Sequence, residues 1–436
     1  MKALILNGSP TPDDSTAPAV SAALCNQLQA RGWEIEHVVL REQKIGTCAG
    51  DFFCWIRNPG MCNTNDDNRE IAAKIVQSDL LICLTPVTFG GYASVLKRMV
   101  DHLIQNILPF FTHIDGEVHH QRRYSRYPNL LVIGWMDAPD AASEAIFRTL
   151  VHRNALNMYA RTSVCGIVTS NPAADELTAQ VTGWLAAISK NVSSPVPALP
   201  LTTTGPLAAG ESVRRAVLLV GSPRTSKSTS FSLGDYLQAQ MAKQGVETQT
   251  IQLYTTLSSP AKRQALFAAL DSADLIVLAF PLYVDSLPAP VTAALELIAA
   301  QRAGKRSTQR FVAMTNCGFP EAHHCDSALA ICARFAEQAG LIWAGGLAMG
   351  GGGMINGTPL PAMGGRTRMA RQSLDMAATA LASGHAVPRA AVDLMAKLSV
   401  PAWLYLLVAG LNWRQMAKKY KAQQQIRKAP YGKVAA

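Results

Sequence analysis

Three cysteines fall in one short stretch, TCAGDFFCWIRNPGMCNTNDD, residues 47–67. Cys48, Cys54 and Cys62 share it with Asp51, Trp55 and a Pro-Gly step. Thiols so close in sequence suit a metal site or thiol redox chemistry, or they line a lid over something else. A second stretch with chemical content lies at the start of the chain. NGSPTPDDST places the hydroxyls of Ser9, Ser15 and Thr16 just before a helical pattern over residues 17–31. Free backbone N–H groups at a helix start, joined by hydroxyls, cradle an anion such as one phosphate. The same residue types also cap helices that bind nothing. The stretch matches neither the Walker A pattern nor G-x-G-x-x-G. A third stretch is Pro86, Val87, Thr88, Phe89, Gly90, Gly91 and Tyr92. Its Pro ends an apolar run, and its glycines let the backbone approach a flat ring whose polar edge the N–H groups reach.

These stretches need strands to hold them, and the chain supplies them twice. KALILNGSP (2–10) returns as RAVLLVGSP (215–223), SDLLICLTP (78–86) as ADLIVLAFP (273–281), and NLLVIGW (129–135) as RFVAMTN (310–316). Short unbroken apolar runs separated by helical patterns read as buried parallel strands in βαβ units. Their recurrence in one order predicts a duplicated α/β domain with parallel sheets. In a sheet of order 2-1-3-4-5, the loops after strands one and three flank the switch point where ligands bind. The expected domains are residues 1–192 and 213–395, joined by a linker at 193–212, with an apolar helix and basic tail at 396–436. The linker reading rests on a stretch rich in Pro, Ser, Thr and Gly.

The first copy is longer at two places. Gly8 to Pro86 spans 78 positions against 60 for Gly221 to Pro281, the surplus being about the size of the cysteine stretch. Pro86 to Asn129 spans 43 against 29 for Pro281 to Arg310, the surplus being THIDGEVHHQRRYSRYP, 112–128. That insertion reads either as a solvated loop or as a cationic, aromatic rim for an anionic substrate.

With 49% hydrophobic and 16% charged residues, the chain is of the globular class. The net charge of +10 is concentrated at the end, where seven Lys/Arg and no acid follow from Arg414 onward. No nucleic-acid recognition module accompanies that charge, so nucleic acid is not an expected partner. No secretory signal pattern opens the sequence and the nine Cys are scattered, which leads us to expect reduced thiols and a cytoplasmic protein.

NGSP with its Ser/Thr loop, TPVTFGGYASVLKRMVD, and CAGDFFCWIRNPGMCNTNDD together resemble the NADPH-dependent FMN reductase family of flavodoxin-like proteins. That group is close to quinone reductases and iron–sulfur flavoproteins. The resemblance covers residues 1–170 well and 215–360 more loosely. It implies two tandem flavodoxin-like domains, each a five-stranded parallel sheet of order 2-1-3-4-5, with FMN as cofactor and NAD(P)H as co-substrate. It also implies a small acceptor such as flavin or quinone, and a homodimer or intramolecular pseudo-dimer. A non-catalytic electron carrier or thiol sensor is the rival reading. The cofactor carries the chemistry, so no catalytic side chain is expected. The implied flavin contacts are Ser9, Ser15, Thr16, the 86–92 loop, and Trp55 as ring surface from the cysteine stretch, with Trp55, Phe89, Tyr92 and the 112–128 loop selecting the acceptor. Iron–sulfur members look like C-x2-C-x2-C-x4–7-C, and Asp51 stands here where they have a second Cys. A carboxylate is a poorer cluster ligand than thiolate. A metal-free lid, zinc or a labile cluster, and a redox thiol pair all remain open; no metal ligand is assigned.

The second copy differs in kind. GSPRTSKSTS offers Ser222, Arg224 and Ser228, with Arg224 and Lys227 in place of Asp13 and Asp14, which suits a phosphate better. Its ring loop, PLYVDSLPAPV, has two prolines and Asp285 in place of Gly-Gly and donates less readily. One FMN in the first copy is the expectation, with a second flavin as the alternative. The Gly-rich GGLAMGGGGMING (345–357) reads as a flexible loop or a wall beside a flavin. LSVPAWLYLLVAGLNW (398–413) is too short to span a membrane. It reads as a packed helix, with peripheral membrane contact by the tail as the alternative.

Overall fold

A computed structural model describes residues 1–200 and 211–432. The chain divides into two compact units, one of residues 1–199 with 407–436 and one of residues 200–406. Ten residues of the expected linker, 201–210, lie outside the described residues.

In the first unit the strands are β1 (Lys2–Asn7), β2 (Glu34–Val39), β3 (Leu80–Thr88), β4 (Gly91–Tyr92), β5 (Ile107–Ile114), β6 (Glu117–Arg122), β7 (Asn129–Met136) and β8 (Ser163–Thr169). Between them run α1 (Thr16–Gln29), α2 (Phe53–Ile56), α3 (Asn68–Gln77), α4 (Ser94–Val100), α5 (Ala141–Asn157) and α6 (Ala174–Ser189). The parallel sheet has the order β2-β1-β3-β7-β8. Its register is set by pairs such as Ala3↔Leu80, Leu81↔Leu130 and Leu131↔Val164. The central strands are apolar on both faces because helices cover both. Leu4, Ile5, Leu80, Ile82 and Ile133 are fully buried accordingly.

The second unit repeats the plan. β9 (Arg215–Val220), β10 (Glu247–Gln252), β11 (Leu275–Pro281), β12 (Arg310–Asn316) and β13 (Ile342–Met349) pair in the order β10-β9-β11-β12-β13. The helices are α7 (Thr229–Ala242), α8 (Leu253–Thr256), α9 (Pro260–Ser272), α10 (Ala289–Gln301), α11 (Asp326–Gln338), α12 (Arg368–Ala382) and α13 (Arg389–Met395). Both sheets thus have the 2-1-3-4-5 order expected of the duplication.

The two insertions of the first copy are ordered, and they fold together. Residues 107–122 form the antiparallel hairpin β5–β6, with Ile114↔Glu117 closing it over Asp115 and Gly116. Both turn residues have positive φ, the type I′ form that Asp-Gly favours. The IDGE signal was therefore present in the sequence, but the segment reads there as a loop. The helix α14 (Ala402–Lys419) groups with the first unit from Leu407 onward. Trp413, Met416, Ala417 and Ile426 pack with Phe52, Trp55, Ile56, Leu108 and Phe110 in a separate small core.

The basic tail is packed along with this helix. Arg414 and Arg427 sit over the Phe110 ring at 4.8 and 4.9 Å, so both cations are held by aromatic surface of the hairpin. Peripheral membrane contact by the tail finds no support in this arrangement. No helix among the described residues is long and apolar enough to cross a membrane. Trp403, Leu407, Val408 and Leu411 nonetheless stay exposed on α14.

The tail is fixed by Arg123, which is 0% exposed. Its guanidinium donates to the Ile107 carbonyl from Nε (3.2 Å) and Nη2 (3.0 Å), and to the Ile426 and Lys428 carbonyls from Nη1 (3.2 and 2.6 Å). Removing it takes a donor from the Ile107, Ile426 and Lys428 carbonyls, and the Ile426 one is buried. R123A is expected to cost about 3 kcal/mol. Urea unfolding, together with faster proteolysis beyond residue 406 in the native state, checks this.

Candidate functional site

The C-terminal edge of the first sheet carries two of the three stretches. The loop after β1 folds around its own acid. Asp14 Oδ2 accepts from the Ser9 hydroxyl at 2.6 Å, and Oδ1 accepts from the Thr16 and Ala17 N–H groups at 2.9 and 3.4 Å. Ser9 is held in turn by its N–H on Asn7 Oδ1 at 3.0 Å. Donors at the start of α1 thus converge on a carboxylate, an anion supplied by the chain itself. Ser15 donates to Asn171 Oδ1, and Thr16 Oγ1 accepts from the Asn171 N–H at 3.1 Å. Asn171, in the loop after β8, has no signal in the sequence; the fold alone brings it to the α1 start.

The loop after β3 is a tight hairpin. Val87 pairs with Tyr92 and Thr88 with Gly91, leaving Phe89 and Gly90 as a two-residue turn. Both central residues have positive φ, 53° and 81°. A Cβ on Gly90 would lie 2.7 Å from Ile146 Cβ, so α5 packs directly against the turn. Thr85 Oγ1 accepts from the Ala93 N–H at 3.0 Å and pins the far side. Pro86, Val87 and Thr88 are half-buried, while Phe89, Gly90, Gly91 and Tyr92 are buried. Tyr92 meets Phe147 edge to face, with ring centroids 5.8 Å apart. The hairpin and the anion cradle follow the neighbouring strands β1 and β3.

Trp55 lies elsewhere than expected. It is 2% exposed, and its indole N–H donates to the Ile104 and Ile107 carbonyls at 2.8 and 3.0 Å. Phe52, Trp413 and His120 cover its rings. Its surface is spent on the small core. The 112–128 insertion is divided, with Arg122 and Arg126 exposed and other members turned inward. Arg123 and Tyr124 are buried, and His120 stacks on Phe111 at 4.9 Å. Burial, then the neighbouring His119, pushes the His120 imidazole down to about 4, so it is neutral at pH 7.

The cysteine stretch has its own electrostatics. Burial pushes the Cys48 thiol up to about 12 and the Cys54 thiol well up. Cys62 goes the other way. Burial opposes its ionisation, but the hydrogen bond and charge of His102, with Thr64, outweigh it. Cys62 Sγ lies 3.5 Å from His102 Nδ1. Asp51 accepts from the Phe53 N–H at 3.0 Å. The stretch therefore offers three thiols and a carboxylate already engaged with main chain, one thiol short of the four that an iron–sulfur cluster takes. His102 is 40 positions from Cys62, and no local pattern pointed to it.

In the second unit, Ser228 Oγ accepts from the Phe231 N–H at 3.1 Å and caps α7, and Ser222 Oγ accepts from the Arg224 N–H at 3.3 Å. Arg224 and Lys227 are exposed. The Gly-rich segment closes this loop from above: Thr229 Oγ1 donates to the Gly352 carbonyl at 2.8 Å and accepts from the Asn356 N–H at 3.1 Å. The ring loop is also a hairpin, with Tyr283 bridged to Ser286 over Val284 and Asp285, both at positive φ. A β-branched residue there is strained.

Open parallel sheets of this order, with an anion cradle and a glycine hairpin at the carboxyl edge, define a flavodoxin-like flavoprotein. The chain belongs to the NADPH-dependent FMN reductase family, whose model matches residues 1–158 and 214–335. Its cofactor is FMN. The chain is 35% identical over 101 residues to an iron–sulfur flavoprotein of Methanocaldococcus jannaschii, covering 23% of this chain and 51% of that protein. It is 30% identical over 104 residues to an iron–sulfur flavoprotein of Archaeoglobus fulgidus, covering 24% and 46%. The chain spans about half the length of the curated relatives it matches. Among solved structures, an NAD(P)H:quinone oxidoreductase from Methanothermobacter marburgensis is 14% identical, with a TM-score of 0.34 over 43% of this chain and 96% of that one.

The cradle fits the phosphate of FMN in kind, since two N–H groups and a hydroxyl already hold an anion there. The Gly90 turn admits no side chain. G90A should cost about 1–2 kcal/mol in backbone strain alone, more with the Ile146 clash. Thermal unfolding of the apoprotein and retained FMN after gel filtration are the readouts, and both should fall.

Proposed function

We propose that the first unit holds FMN at the carboxyl edge of its sheet and passes electrons from NAD(P)H through it to a small acceptor, a flavin or a quinone. The observation that carries this reading is the pairing of an acid-filled anion cradle with a glycine hairpin on adjacent strands. The coarser activity, NAD(P)H-dependent flavin oxidoreduction, is that of the family. FMN supplies the hydride-accepting ring when bound.

The roles of the chain follow from its own groups. Ser9 and the Thr16 and Ala17 N–H groups receive the phosphate when Asp14 turns out of the cradle. The 87–92 hairpin sets the ring against backbone, and Phe89 and Tyr92 keep that wall apolar and fixed. Ser222, Arg224 and Ser228 form the corresponding loop of the second unit, but the 350–357 segment is bonded over it. We therefore assign one FMN per chain.

Asp14 sets the affinity in this reading. A carboxylate and a phosphate compete for the same donors and repel each other. D14S puts a helix-capping hydroxyl in place of the carboxylate and removes the charge. It is expected to tighten FMN at least about tenfold, near 1.4 kcal/mol, and to leave riboflavin, which lacks the phosphate, unchanged. Fluorescence titration of the apoprotein with each flavin reads both. Equal FMN affinity in D14S and wild type would place the phosphate elsewhere. The purified protein should release about one FMN per chain, and NADPH or NADH should bleach the bound flavin anaerobically. Failure with both nicotinamides would leave an electron carrier.

A further inference from the structure

The flavin chemistry leaves one reactive pair unused. Cys62 and His102 meet at 3.5 Å, Sγ to Nδ1, outside the hairpin and the anion cradle. We propose that Cys62 and His102 form a nucleophilic thiolate–imidazolium pair at which the protein is reversibly oxidised by hydroperoxides.

Four features build this site. His102 is buried, and its Nε2 lies 2.9 Å from the Gly46 carbonyl, which keeps a proton on Nε2 and turns Nδ1 toward the sulfur. Cys62 is only half-buried, so its sulfur is reachable from one side. Its backbone is held at both ends: the N–H donates to Gln105 Oε1 at 2.9 Å, and the carbonyl accepts from Arg69 Nε at 2.8 Å. The sulfur is thus presented by a fixed peptide, not by a mobile loop tip.

The fourth feature is charge. Burial, the first influence on each partner, disfavours the ions; the contact between them and the Gly46 carbonyl reverse that, lowering Cys62 and raising His102. The other groups facing the pair are Asp66 and Asp101 near the ring, and Cys48, Cys54 and Tyr431 near the sulfurs. The two acids favour the imidazolium. Cys48 and Cys54 are kept protonated by burial and add no competing negative charge. A thiol whose ionisation is favoured by a buried imidazole, and which is partly exposed, has the profile of an oxidisable cysteine.

The step balances as follows. The Cys62 sulfur attacks the terminal oxygen of a hydroperoxide; the S–O bond forms and the O–O bond breaks. Sulfur gives up two electrons and becomes a sulfenic acid. The leaving oxygen takes the proton from His102 and departs as water or an alcohol. Two equivalents of an external thiol return the sulfenic acid to the thiol, with one disulfide and one water as products.

The test uses the full chain. Hydrogen peroxide is added at stoichiometric level, sulfenic acid is trapped with dimedone, and each cysteine is read by peptide mass spectrometry. Cys62 should be labelled at least about tenfold faster than Cys25, which is also half-buried but whose thiol burial pushes up. Dithiothreitol before dimedone should abolish the label. Alkylation of Cys62 by iodoacetamide should persist to lower pH than that of Cys25, falling as pH drops through its lowered value. In H102Q, with folding verified by circular dichroism, that fall should move up toward the ordinary thiol range, about tenfold or more slower near pH 6. If H102Q does not fold, the wild-type profile decides alone. Labelling of Cys62 no faster than Cys25, or an ordinary thiol profile, overturns the proposal. So does a metal ion or cluster on Cys48, Cys54 and Cys62 in the isolated protein that leaves Cys62 unreactive.

Discussion

The guanidinium of Arg123 joins pieces of the first unit that are hundreds of residues apart. It donates to Ile107 at the start of the hairpin and to Ile426 and Lys428 in the tail. A buried cation survives only when its donors are met, and here main-chain carbonyls meet them in place of a carboxylate. Once the tail is held, Trp413, Met416 and Ala417 close over Trp55, and the cysteine stretch acquires a core of its own. Tyr431 then reaches Gln105 Oε1 at 3.2 Å, the same oxygen that accepts from the Cys62 N–H. The position of the Cys62–His102 pair is thus coupled through one amide to the end of the chain.

The two units share a sheet order and differ in what fills their edges. In the first, an acid of the loop itself satisfies the donors at the start of α1. In the second, the loop is basic, but Thr229 is bonded on both sides to the Gly-rich segment. Both ring loops are hairpins with positive φ at both central residues, yet only the first has a glycine there to take it without strain. Duplication preserved the backbone path, and the side chains that decide affinity diverged. That is how a fold comes to carry different sites on one plan.

Much of this was legible in the sequence. The repeated apolar runs gave the strands and their doubling, because a strand buried on both faces must be apolar throughout. NGSP and TFGGY marked the two loops at the sheet edge, because helix starts and glycine turns have residue-type requirements that are local. The cysteine stretch was visible as well, though its meaning was not. Trp55 looked like free aromatic surface; nothing nearby in the chain shows that Trp413, some 360 positions on, covers it. The 112–128 segment looked like a charged loop, although its Asp-Gly turn was the signature of a hairpin.

Local chemistry therefore determined the strands, their doubling and the two loops at the sheet edge, and the resemblance of those motifs to a family implied the cofactor. Only the tertiary structure decided which groups are spent on the protein itself. Asp14 turning into its own cradle, Arg123 turning inward and His102 meeting Cys62 each depend on where distant carbonyls, donors and aromatic faces come to rest. A charged or aromatic residue has one identity in the sequence and two fates in the fold, solvated or buried. The free energy separating those fates resides in partners that periodicity and spacing do not encode.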